Sequence, residues 1–395
     1  MLGACFALNL FGRGLGDTYA VFLRPLERDF GWTRSQLTGV YSVYLIIHGF
    51  TAPLVGLLFD RLGPRWVYGG GMASLAVAFL FAGSLDSLEQ FYVLIGGFVG
   101  IGVSLNGMVP GAALISRWFR ARLSTALGVA FSAMGVGTIV FVPLAQYLVD
   151  TQGWRAAYRM LGVLVVLATP IVVLAIPWKK YAAGHPDFPH RPGAKGQGEG
   201  WTLRKAIRTP LYWGLVQMFF FTSIAMFEIL VQLVAFLIDV GFSPLAAATA
   251  YGFVGMLSAV SVMASGFTSD RFGYRQAVTA SFAGTATGLA LLLALNAWPS
   301  VALLVLFVPI FGLCMGFRGP IISSVCARFF AGPHVATIYG TIYSSNAIGA
   351  AIGAYVGRLL HDLTGGYNAG LAVSLVSISI ASLPFWTIRV LREFR

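Results

Sequence analysis

Twelve apolar stretches, each about twenty residues or longer and parted by Pro, Gly and small knots of charge, are what this 395-residue chain must fold around. They cover roughly 2-24, 35-59, 66-84, 90-116, 124-149, 155-177, 210-238, 244-268, 276-296, 300-327, 335-360 and 368-388, numbered below as spans 1 to 12. A segment of that length crosses lipid only as a helix, because nothing there but the chain itself can take its backbone N–H and C=O groups. The expected fold class is an all-α integral membrane protein with 12 transmembrane helices. Composition agrees, since 57% of the residues are hydrophobic and 10% charged, against ~25% charged in a soluble domain. That is too little charge to cover a water-facing surface, which excludes soluble enzymes and nucleic-acid binders.

The formal charge of +12 has to be read by position. A single long polar stretch, 178–209, carries Lys179, Lys180, Arg191, Lys195, Arg204, Lys205 and Arg208 and reads as a linker between six-helix bundles 1–177 and 210–395. Segments on the linker's side of the membrane hold most of the 26 Lys and Arg, while the other face holds only Arg24, Arg28, Arg34, Arg155, Arg159 and Arg358. This bias places the linker and both termini in the cytoplasm. The chain is expected to be a monomer, multi-pass in the cell's inner (plasma) membrane, with lipid around it and no nucleic-acid partner. Its start reads as the first membrane helix rather than a cleaved leader. Cys5, Cys314 and Cys326 lie in apolar stretches, implying neither a disulfide framework nor a thiolate metal site, and no cofactor is expected.

The chain also repeats itself. Gly56-Leu-Leu-Phe-Asp60-Arg61-Leu-Gly63-Pro-Arg65 after span 2 returns as Gly266-Phe-Thr-Ser-Asp270-Arg271-Phe-Gly273-Tyr-Arg275 after span 8. The same offset of 210 aligns Asp29-Phe-Gly31-Trp32 with Asp239-Val-Gly241-Phe242, and Pro110 with Pro320. One six-helix unit has been used twice.

Twelve spans in two halves, a basic central loop and the duplicated G-x-x-x-D-R-x-G-x-R resemble the major facilitator superfamily over essentially the whole chain. The segment from Arg24 to Arg34, followed by Leu58 to Arg65, is similar to bacterial members of its monocarboxylate and oxalate/formate branch. The resemblance implies secondary transport of a small organic anion by alternating access, with protons or a counter-anion as the coupled species. It also implies that spans 1, 4, 7 and 10 line a central cavity, and that Asp60, Arg61, Arg65, Asp270, Arg271 and Arg275 form charge clusters that gate the cytoplasmic face.

Ionisable residues at membrane depth mark the candidate site, because each is expensive there. Arg13 and Asp17 fall in span 1, Glu228 in span 7 and Arg318 in span 10. Asn9, Arg13 and Asp17 stand at i, i+4 and i+8, so Arg13 and Asp17 can pair. Arg318 has no acid on its own span and sits among Gly312, Gly316, Gly319 and Pro320, where a helix break can free backbone groups. A guanidinium holds a carboxylate bidentately, which makes Arg318 the first substrate candidate, with a buried partner for Glu228 or for a cluster of carbonyls as the alternative. Arg13 is divided between ligand and partner of Asp17. Asp17 and Glu228 are candidate proton carriers, because an acid beside an arginine gains proton affinity when an anion takes that arginine.

Helical spacing puts His48 with Tyr41 and Tyr44, and Tyr339 with Tyr343 and Asn346. These rows and Asn106 are either a polar wall to the substrate path or plain packing, and His48 is a further proton candidate. Gly349, Gly353 and Gly357 repeat every four residues and predict a close helix contact. Two features depart from the resemblance: the span 8 arginine that marks the monocarboxylate branch is replaced by Val262, and span 11 lacks the Lys that marks oxalate exchangers. The competing transport reading is proton-driven efflux of drugs or cations centred on Asp17 and Glu228. Against it, span 5 reads Gly135-Val-Gly137 and Val140-Phe-Val-Pro143, without the fuller Gly-Pro-Gly-Gly of proton-driven exporters. Enzymatic and nucleotide-driven readings lack both a nucleophile–base set and a G-x-x-x-x-G-K-[ST] loop.

Overall fold

Helices fill the computed structural model, which describes residues 1–120, 122–186 and 200–393. The middle of the expected linker, 187–199 with Arg191 and Lys195, lies outside the described residues. Span 1 is two helices, Leu2–Asp17 and Tyr19–Phe30, and span 2 is Arg34–Phe50 followed by Ala52–Leu62. Spans 3 to 6 are Pro64–Ala82, Leu88–Ser116, Leu123–Gln152 and Trp154–Ala175. Spans 7 to 10 are Pro210–Asp239, Pro244–Phe272, Tyr274–Ala297 and Val301–Phe329. Spans 11 and 12 are Val335–Thr364 and Asn368–Thr387. Among the described residues, 9 helices are long and apolar enough to cross a membrane, and up to 10 if the bent span 2 counts as one. Spans 1 and 11 fall short of that test because span 1 divides into pieces of 16 and 12 residues and span 11 is diluted by Thr, Tyr, Ser and Asn.

Local chemistry sets the helix starts. Thr33 opens span 2 with a capping box, its hydroxyl accepting from Gln36 N while the Gln36 side chain accepts from Thr33 N. Thr209-Pro210 and Ser243-Pro244 open spans 7 and 8, a hydroxyl cap followed by the residue that needs no N–H. Proline also sets the breaks. Span 2 bends by 46° at Thr51, where Pro53 cannot donate to Gly49 and the Thr51 hydroxyl takes the Ile47 carbonyl at 2.6 Å. Span 4 breaks at Gly107 and span 10 at Gly316 and Phe317. Pro110 and Pro320 leave the carbonyls of Asn106 and Gly316 without a helical donor, so the two repeats carry the same defect at the same place. The motif glycines agree in conformation too: Gly63 and Gly273 have φ of 80° and 89°, a region other residues avoid.

The chain divides into two compact units, one of Met1–Arg120, Ala130–Leu203 and Ala327–Ser344, the other of Ala121–Val129, Arg204–Cys326 and Ser345–Arg395. In the first, span 3 packs on spans 4 and 6 and span 2 on span 4, around a core where Tyr158 stacks on Phe22 at 3.7 Å. In the second, span 9 packs on spans 10 and 12 and span 8 on span 10, repeating those pairings. There Gly349, Gly353 and Gly357 face the backbone of Phe220 and Ile224 and the side chains of Glu228 and Gln232, so span 11 lies directly on span 7.

Candidate functional site

Glycines bring the first unit's polar groups together. A Cβ on Gly14 would meet the Phe141 ring and the Gly137 backbone, and one on Gly137 would meet the Leu10 carbonyl, so spans 1 and 5 are nearly in backbone contact. That approach lets the Thr138 hydroxyl, beside Gly137, donate to Asp17 Oδ2 at 2.7 Å. On the other side of the same carboxylate, Arg13 Nε lies 3.1 Å from Asp17 Oδ1. Arg13 Nη1 donates to the Tyr44 hydroxyl at 3.3 Å. The Arg13 and Asp17 side chains keep 31% and 18% of their surface exposed, so the pair is reachable rather than sealed.

Aromatic rings extend the group. Tyr41 lies 5.1 Å from Tyr44, Tyr44 stacks on His48 at 6.3 Å, and His48 meets Tyr343 edge-on at 6.1 Å. Tyr339 follows at 6.0 Å from Tyr343. His48 Nδ1 is buried without a hydrogen-bond partner. Seven of the expected residues, Arg13, Asp17, Tyr41, Tyr44, His48, Tyr339 and Tyr343, thus converge in one unit. Asn106 is fully buried in the contact of spans 1, 3 and 4, its amide donating to Gly102 O at 2.9 Å. Asn346 falls in the second unit. Thr138 is not among the expected residues, because a Thr in an apolar helix carries no signal of its own.

Arg318 starts the helix that follows the span 10 break, and its side chain turns onto span 9. It is 2% exposed, lies 4.6 Å over the Phe282 ring, and donates through Nη2 to Ser281 O and to the Thr285 hydroxyl. Nε and Nη1 have no hydrogen-bond partner among the described residues. The buried ion pair with Glu228 is not formed: Glu228, 4% exposed, accepts from the Ser374 hydroxyl at 2.5 Å and packs against Gly357 and Gly370. Gln217, on the same face, donates to Ile380 O at 2.8 Å. That face of span 7 is therefore turned to spans 11 and 12. Among the described residues no three His, Cys, Asp or Glu stand close enough to hold a metal.

The duplicated motif works differently from the expected acid–arginine cluster. Asp60 Oδ2 accepts from Thr337 N at 2.8 Å and from its hydroxyl at 2.6 Å, capping the first turn of span 11. Asp270 Oδ2 accepts from Thr125 N and its hydroxyl, both at 2.8 Å, capping the first turn of span 5. A carboxylate at a helix N-terminus satisfies an orphan N–H and meets the positive end of the helix dipole. Four residues earlier, Gly56 lies against the Ala336 backbone and Gly266 against that of Ser124, so the motif's first glycine lets each helix start come close enough to be capped. Arg61, Arg65 and Arg271 are exposed, Arg271 beside Phe272, and Arg275 lies 4.3 Å over Trp386. Arg117 lies 5.3 Å over the ring of Phe59, the residue before Asp60.

A family model described as Major Facilitator Superfamily matches residues 2–354 and 260–393. Monocarboxylate transporter 13 of Rattus norvegicus is 27% identical over 361 residues, covering 91% of this chain and 82% of that protein. Monocarboxylate transporter 12 of Mus musculus is 24% identical over 426 residues, covering 100% and 86%. Among solved structures, the proton:xylose symporter XylE bound to 6-bromo-6-deoxy-D-glucose superposes with a TM-score of 0.74 at 13% identity, covering 98% of this chain and 95% of that one, which is a likeness of fold.

Proposed function

We propose, from the premise that this chain belongs to the Major Facilitator Superfamily, that it is a secondary transporter of a small monocarboxylate, working by alternating access between its two six-helix halves. The observation that carries this reading is the Arg13–Asp17 pair with Tyr44 and Thr138 around it. Relatives named as monocarboxylate transporters support the substrate class.

Arg13 has five N–H donors; it meets Asp17 as an ion pair and commits one donor to Tyr44. An arriving carboxylate takes the remaining fork and competes with Asp17 for the charge. Asp17, still held by Thr138, is then free to accept a proton, so anion and proton travel together. Tyr41, Tyr343, Tyr339 and His48 form the wall beside the bound anion. Arg318 is the second anion anchor, used when span 9 releases it, while Glu228 and His48 are secondary proton groups. The Asp60–Thr337 and Asp270–Thr125 caps are the gates, each made in one conformation and broken in the other. Arg61, Arg65, Arg271 and Arg275 add the cytoplasmic charge that goes with a linker and termini on that side.

Proteoliposome uptake tests the proposal. Lactate should accumulate when the outside is acidified, and a lipophilic cation should not be exchanged for protons. Cation exchange without lactate uptake would move the function to efflux.

A further inference from the structure

We infer that a further anion site, distinct from Arg13 and Arg318, lies where span 1 ends against the turn between spans 5 and 6, and that it takes a small carboxylate bearing no other charge. A cavity of ≈ 450 Å³ is lined there by Arg24, Arg28, Asp29, Gln146, Asp150 and Trp154, all in the first unit. That volume falls in the range of pockets that hold small molecules. Arg24 and Arg28 are four residues apart on Tyr19–Phe30, so both face the cavity from one side of the helix.

Charge decides the ligand. Both acids in the lining already have a donor: Asp29 Oδ2 accepts from the Trp154 indole at 2.6 Å, and Asp150 Oδ1 from Gln146 Nε2 at 2.7 Å. Those donors are neutral, so neither acid has been given to an arginine. Arg24 and Arg28 form no ion pair among the described residues. Two exposed guanidinium groups that form no ion pair among the described residues offer a bidentate fork, while the two carboxylates beside them repel a ligand with a second negative charge. A monoanion fits and a dianion does not.

The topology gives the site a use. Span 1 runs from Met1 to Phe30 and span 2 returns toward Asp60, so the cavity lies at the end of the unit opposite the Asp60 cap. Along span 1, Arg24 is about 16 Å from Arg13 at 1.5 Å per residue, with the Thr18 break between them. An anion held at Arg24 and Arg28 is concentrated at the mouth of the path to Arg13. This transport role rests on the proposed carriage of a monocarboxylate, whereas binding at the cavity does not.

Two measurements test it. Purified protein is treated with an arginine-directed dicarbonyl, and modification of Arg24 and Arg28 is mapped by peptide mass with and without lactate. Lactate should protect both, while neutral lactamide and doubly charged succinate should protect little. Equal modification in all samples, or protection by succinate or zwitterionic alanine as strong as by lactate, overturns the assignment. In proteoliposomes, the R24Q/R28Q double variant should raise KM for lactate roughly three- to tenfold with kcat held, and R24K/R28K should recover part of the loss. An unchanged KM overturns the capture role. If the double variant does not fold, R24Q and R28Q singly carry the same test at a smaller KM shift. Wild-type protein that moves no lactate counts against the proposed function alone, because the protection experiment still decides the site.

Discussion

Arg13 and Arg318 are both arginines inside broken spans, yet they stand in opposite company. Arg13 has a carboxylate at 3.1 Å and keeps 31% of its side chain exposed. Arg318 is 2% exposed and rests on a hydroxyl, a carbonyl and a ring, with two of its nitrogens unpartnered. The first can exchange one anion for another at small cost, since a counter-charge is always present. The second carries a desolvated charge without a counter-ion among the described residues, which costs several kcal/mol. In the proposed transport cycle, that difference makes Arg13 the first anchor and Arg318 the reserve.

Removing Arg13 should have the largest effect. R13Q should lower lactate uptake more than about thirtyfold, because the proposed anion anchor is gone, with the thermal unfolding midpoint little changed, since the pair is partly exposed. R318M sharpens the contrast: uptake should fall about tenfold while thermal stability holds or rises, since an uncompensated buried charge has gone. Uptake at the wild-type level in R318M would leave Arg318 without a role in transport. Next come the caps. D60N and D270N should each weaken a helix cap by about 1 kcal/mol, read as faster hydrogen exchange at the Thr337 and Thr125 amides respectively, together with a shifted balance of conformations in cysteine-accessibility labelling. The smallest effect belongs to T138V, which removes one donor from Asp17 and should cost roughly two- to tenfold in uptake. A loss in T138V as large as that in R13Q would mean that the site is held by Thr138 rather than by the ion pair.

Much of this contrast was legible in the sequence. Hydropathy gave the spans to within a few residues except span 1, whose second helix runs on to Phe30; the i, i+4 spacing gave the Arg13–Asp17 pair, and the repeated motif gave both capping aspartates. What sequence spacing hid was partner identity. Asp60 was read against Arg61 and Arg65 because they are adjacent, whereas its donor, Thr337, is 277 positions away. Thr138 escaped notice for the same reason, being 121 positions from Asp17. Arg318 looked open among its glycines, but those glycines admit spans 8 and 9: Gly316 lies against Ser258 and Ser261, and the guanidinium turns onto Thr285. The bend in span 2 was available from Pro53 and Thr51, yet continuous hydropathy concealed it.

Lactate uptake into proteoliposomes under an inward proton gradient, compared for wild type and D17N, tests the central claim most directly. The account predicts that D17N loses gradient-driven accumulation while still exchanging lactate for lactate, because Arg13 remains to hold the anion. Accumulation by D17N equal to wild type would contradict it, and would place the proton on another group.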